Sequence, residues 1–202
     1  MHARLRLFAL IALVLSAAGC GDVIRDGRSP VILVINSLQG ALGNGQPLAA
    51  NVRSDVVTLV RAPAPCTPLS PCPTIFNDVG QASLSLVVKN STIAATPINQ
   101  VTINRYTVRY RRNDGRNVEG VDVPHAFDGA VTITVFPGAS STIGFELTRN
   151  VAKMESPLVE LQVNPNIITM IADVTFYGSD LAGNAVNATG SILIDFGNFG
   201  DF

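Results

Sequence analysis

Tryptophan is absent from the 202-residue chain, tyrosine and cysteine each occur three times, and histidine occurs twice. The missing tryptophan and scarce tyrosine argue against a membrane-spanning β-barrel, whose lipid-facing wall is bounded by aromatic girdles. The terminal Phe202, which invites that reading, is then a chance match. Positive charge is also in short supply: 14 Lys and Arg stand against 15 Asp and Glu. The basic excess that a nucleic-acid binder needs is missing. No apolar run after the N-terminus approaches the roughly 20 residues needed to cross a bilayer as a helix.

The N-terminus carries a different signal. Arg4 and Arg6 precede an apolar run from Leu7 to Leu15, and the small residues Ser16, Ala17, Ala18 and Gly19 lead to Cys20. This order is that of a secretory leader. It resembles a bacterial lipoprotein signal, which implies cleavage before Cys20 and acylation of that cysteine. Ala17 stands where that signal prefers Leu, so cutting by a conventional signal peptidase, leaving Cys20 a thiol, is the alternative. Gly21, in place of an Asp, implies delivery to the outer membrane. The expected organisation is a signal peptide over residues 1–19, a lipidated tether over 20–30 and a single domain over 31–202. The leader holds two arginines and no acid, so its removal takes the net charge from -1 to −3.

Cys66 and Cys72 remain, in CTPLSPC. In an oxidising compartment such a pair is expected to form a disulfide. Zinc generally needs four ligands, and the spacing is not the CxxC of thiol oxidoreductases. Closing so short a loop places the contribution at the low end of the usual ~2 to 4 kcal/mol.

From Pro30 onward, short β-branched runs alternate with Gly, Pro and Asn, the pattern of an all-β sandwich or barrel. Strands are expected at 31–36, 55–61, 82–89, 101–112, 117–123, 130–136, 142–148, 168–177 and 188–196. Leu147, Val151 and Met154 have helical spacing, enough for one turn. Within 101–112 the apolar positions change parity, from Val101 and Ile103 to Tyr106, Val108 and Tyr110. A β-bulge near Asn104 and Arg105 accommodates that change. A three-residue turn at Asn113-Asp114-Gly115, with Gly115 left-handed, sets Tyr110 opposite Val118 and Arg109 opposite Glu119.

This predicted hairpin resembles the C and C′ strands of fibronectin type III domains. Val135-Phe136-Pro137-Gly138, ahead of Ile143, Phe145 and Leu147, resembles that family's E to F corner, with Ser141 where the corner tyrosine would fall. FYGSDLAGN, Phe176 to Asn184, resembles the last hairpin of bacterial immunoglobulin-like domains. The fold these resemblances imply is one immunoglobulin-like or fibronectin-like β-sandwich with extra strands.

Chemistry is sparse. His125 in VPHAF has no GxSxG elbow to serve, and Glu119, Glu146, Glu155 and Glu160 are scattered. Asp180, Gly183 and Asn184 offer hard oxygens for calcium, but too few are local, and Asx residues with Gly also suit a β-turn. The sequons at Asn90 and Asn187 carry no weight after a bacterial leader. The strongest surface feature is a run of arginines, Arg105, Arg109, Arg111, Arg112 and Arg116. Arg105, Arg109 and Arg111 share the face opposite Tyr106, Val108 and Tyr110. Such a stripe suits an anionic polysaccharide or an acidic protein surface, or it is a solvated strand partly neutralised by Glu119 and Asp122. The expectation is an outer-membrane lipoprotein, non-catalytic and without a cofactor, that binds an envelope polymer or protein. A periplasm-facing accessory subunit of an outer-membrane complex is the second reading, and a hydrolase the third.

Overall fold

The computed structural model describes residues 27–200, apart from 93 and 95. The expected leader, Cys20 and Phe202 lie outside the described residues. Ten strands follow in order: β1 (Val31–Leu42), β2 (Asn51–Asp55), β3 (Thr58–Val60), β4 (Cys72–Thr74), β5 (Asp78–Val88), β6 (Val101–Arg111), β7 (Phe127–Val135), β8 (Ser141–Thr148), β9 (Ile168–Asp180) and β10 (Ala185–Gly197). One helical turn, α1 (Asn150–Lys153), and 3-10 turns at Pro97–Asn99 and Val159–Gln162 complete the described elements.

Two sheets pack face to face. One has the order β1-β5-β8, and the other β2-β10-β9-β6-β7. Without β2, these are the A-B-E and C′-C-F-G orders of a fibronectin-like sandwich. The segment between β1 and β5 is the elaboration. Its β2 adds parallel to β10, pairing Asn51–Asp55 with Leu193–Gly197, and β3 and β4 form a separate two-stranded sheet. A strand laid along β10 covers an edge that would otherwise offer unpaired backbone groups to other chains.

Period-two alternation builds the core. On β6, Tyr106, Val108 and Tyr110 are buried while Arg105, Arg109 and Arg111 are exposed. From the facing sheet come Leu84, Ile143, Phe145 and Leu147, all buried. Tyr106, Phe145 and Phe176 form an aromatic cluster, with Phe145 edge-on to both at 5.3 and 5.4 Å. Such pairings add about 0.5–1.5 kcal/mol each beyond area burial.

The expected bulge is present. The register of β6 slips between Ile103 and Arg105 against both neighbours, β7 and β9, so the parity change is absorbed where the apolar pattern demands it. Phe176 to Asn184 does form a turn between paired strands, β9 and β10.

Three expectations are corrected. Residues 117–123 form no strand: β7 pairs with β6 only as far as Val108, and Tyr110 is paired with Ala172 of β9, with Val118 nowhere in its ladder. Local side chains instead take the backbone donors that a ladder would use. Asn117 accepts from Arg112 N–H at 2.7 Å, and Asp122 accepts from Val118 N–H at 3.2 Å. Gly115 is nevertheless left-handed, with φ 82°. Secondly, the corner at Phe136 to Gly138 joins β7 to β8, so it is a C′ to E rather than an E to F connection. Thirdly, the run expected over 55–61 is two strands, divided where the Asp55 carboxylate accepts from Val57 N–H and from the Thr58 hydroxyl. In α1 the apolar spacing misleads as well: Val151 and Met154 are exposed, and Lys153 is the residue that points into the core.

Candidate functional site

The arginine face is largely closed on itself. Arg111 forks onto Asp173, with Nε 2.7 Å from Oδ2 and a second contact of 3.4 Å, and Ser191 also donates to that carboxylate. Burial alone would raise the Asp173 pKa, but these donors hold it below the usual carboxylate value. Arg105 lies 4.2 Å over the Tyr177 ring and 3.8 Å from Asp128. Arg112 and Arg116 both engage Asp114, at 2.6 and 3.1 Å, and hold its carboxyl well below the ordinary range. Arg109 faces Asp173 across the ladder without forming an ion pair among the described residues. An anionic ligand on this strand would therefore compete with carboxylates already in place, and Arg109 is its most available cation.

The other predicted site residues have structural work. Cys66 and Cys72 are bonded, with Cα atoms 5.3 Å apart, and the bridge ties the irregular loop to β4 beside β3. Asp180 closes its own turn: Oδ1 accepts from the backbone N–H of Ala182 and Asn184, and Oδ2 from the Asn184 side-chain amide at 2.9 Å. Those lone pairs are committed to the turn rather than presented to a cation. His125 is exposed, with Nδ1 3.8 Å from Glu119 Oε2. Among the described residues, no three His, Cys, Asp or Glu side chains gather as a metal site.

Two features escaped the sequence reading. The first is an open groove of about 570 Å³ at the inserted end of the sandwich, with Asn44, Gln46, Asn51, Arg53, Arg61 and Phe199 in its walls. The Arg53 guanidinium stacks 4.5 Å over the Phe199 ring. These residues come from 40–61 and from the far end of the chain at 199–200, so no local motif announces them.

The second is a sealed polar cluster. Lys153 Nζ donates to Asp78 Oδ1 at 2.8 Å and to the Asp55 carbonyl at 3.0 Å, and the Ser54 hydroxyl donates to Asp78 Oδ2 at 2.7 Å. Both charged side chains are 0% exposed. Burial pushes the Asp78 pKa up and the Lys153 pKa down, each toward its neutral form, against their mutual attraction. Thr148, the ladder partner of Asp78, holds a buried hydroxyl with no hydrogen-bond partner among the described residues. Comparison of the sequence with protein-family models and with curated proteins gives no match.

Proposed function

We propose that the protein is a non-catalytic lipoprotein of the bacterial outer membrane, held by an acyl group on Cys20 and presenting its β-sandwich as a binding or structural module. The observation that carries this reading is the leader ending at Cys20, a short tether ahead of the first strand at Val31. A lipidated cysteine at that place keeps a folded domain at the membrane surface. The arrangement of polar groups supports a module without catalysis. The Lys153 and Asp78 pair is sealed from any substrate, and the carboxylates of Asp173, Asp114 and Asp180 serve arginines and a turn. The partner class that suits the surface is an envelope polymer or protein, met at the groove that holds Arg53 and Phe199 or along the strand that carries Arg109.

Membrane fractionation of cells expressing the Cys20→Ala variant tests the anchor. Release of the domain into the soluble fraction is expected, and unchanged membrane retention would overturn lipidation. Protease shaving of intact cells then reads orientation. Cleavage between Arg105 and Arg116 beside an intact periplasmic control places the module outside, where adhesion or polymer binding leads. Cleavage only after permeabilisation turns the reading to a periplasm-facing accessory subunit.

A further inference from the structure

We propose that Lys153 and Asp78 are joined in the mature protein by an amide bond between Nζ and Cγ, formed by the chain itself within its core. The hydrogen-bond inventory around the pair motivates this. An ammonium group carries three N–H donors. Lys153 Nζ meets two acceptors, Asp78 Oδ1 and the Asp55 carbonyl. Among the described residues, one donor is therefore left over in a site without solvent, and the buried hydroxyl of Thr148, the ladder partner of Asp78, has no partner. Buried polar groups without partners are rare and costly.

The amide removes both defects. Its single N–H keeps the Asp55 carbonyl as acceptor. Its carbonyl oxygen, the former Asp78 Oδ2, keeps the Ser54 hydroxyl as donor at 2.7 Å and has a second lone pair for Thr148. Two buried charges disappear at the same time, and with them the desolvation cost that a buried ion pair must offset.

The chemistry is a condensation. In the neutral pair, the Lys153 amine lone pair attacks the carbonyl carbon of the protonated Asp78 carboxyl. The C–N bond forms, the bond from Cγ to the departing oxygen breaks, and that oxygen leaves as water with one hydrogen from the amine and the one already on the acid. Nothing is oxidised or reduced. Burial favours the neutral amine and the neutral acid, which are the reacting forms. Fixed proximity supplies the rest, since well-oriented intramolecular reactions reach effective molarities of about 10⁵–10⁸ M. The product links the start of β5 to α1 across 75 residues, clamping the edge strand β8 that lies between them in sequence.

Trypsin reads the bond directly, because it cuts after a free lysine and not after an acylated one. The full-length protein, purified from membranes, is reduced, denatured, digested and analysed by mass spectrometry. The expected species joins residues 62–89 to the segment beginning at Asn150, one water lighter than the two peptides together. The Asp78→Ala variant, digested under the same denaturing conditions whether or not it folds, should instead release residues 150–153. Release of 150–153 from the wild-type protein, without the joined species, would overturn the proposal. Asp78→Asn supplies an independent check, since it should give the same joined product with loss of ammonia instead of water.

Discussion

The Tyr110 hydroxyl on β6 donates to the Leu147 carbonyl on β8 across a distance of 2.7 Å, bonding one sheet of the sandwich to the other through its interior. The register of β8 explains why that carbonyl is available. Asp78 pairs with Thr148 and Val79 with Glu146, so Leu147 is the extra residue of a bulge and has no ladder partner. The preceding residue is held in the opposite sense, with Glu146 N–H donating to the Tyr106 hydroxyl at 3.1 Å. Two tyrosines four residues apart on β6 thus secure the backbone of consecutive residues of an edge strand.

Tyr110→Phe should therefore destabilise the domain by about 1–3 kcal/mol, the cost of leaving a buried carbonyl without a donor. Tyr106→Phe should cost less, because Glu146 is exposed and water can reach its backbone. Urea unfolding of both variants decides the matter, and equal losses would mean that the bulge does not control them.

Each of two core aromatics lies over a glycine directly opposite on the adjacent strand: Tyr106 over Gly129, and Phe145 over Gly80. A Cβ at either glycine would overlap the ring. Gly129→Ala and Gly80→Ala should each cost about 1–3 kcal/mol through overpacking. Gly115→Ala is the useful contrast, since its Cβ meets nothing and the penalty is confined to its positive φ of 82°. A thermal melt ranking Gly115→Ala as the worst of the three would contradict this packing account.

Alternation on β6 exposes the strand, the bulge and the inward tyrosines in the sequence alone, because a one-residue parity shift has only one cheap structural solution. Pairing is a different matter. Val118, expected opposite Tyr110, is exposed, and the strand that does pair with β6 on that side comes from residues 127–135 and stops at Val108. Local pattern cannot register a competitor that arrives later in the chain. Lys153 was hidden for a related reason. A lysine reads as solvent-facing, and its acceptors, Asp78 and the Asp55 carbonyl, lie 75 and 98 residues away. The groove around Arg53 and Phe199 is likewise assembled only by the parallel pairing of β2 with β10.

Replacing Cys66 and Cys72 together with serine should cost no more than about 2 kcal/mol, because the closed loop is short and little unfolded-chain entropy is removed by closing it. The bridge stands on the small β3-β4 sheet, outside the two core sheets. Limited proteolysis should find new cleavage within 61–79 while the β6-β9 ladder keeps its hydrogen-exchange protection. Loss of protection throughout the core would instead assign the disulfide a global role.

Acid should weaken the fold through carboxylates whose pKa is depressed in the native state. Burial alone would raise Asp180, but its hydrogen bonds from Asn184 and the Ala182 backbone bring it below the ordinary value, and Asp173 is lowered likewise by Arg111 and Ser191. For such groups the native state binds protons less readily than the unfolded chain. Their contribution is complete above the unfolded value near 3.9 and is lost as pH falls through the lower native one. Asp180→Asn keeps an oxygen for the turn N–H groups and removes the charge, so it should lower neutral-pH stability by about 1 kcal/mol, the size of one charge-assisted hydrogen bond made neutral. The same substitution should flatten the decline in stability between about pH 5 and pH 2. Asp78 is shifted in the opposite direction, so the comparison is made between wild type and variant rather than on the wild-type slope. Parallel stability curves for the two proteins across that range would show that the Asp180 turn binds its proton equally well folded and unfolded.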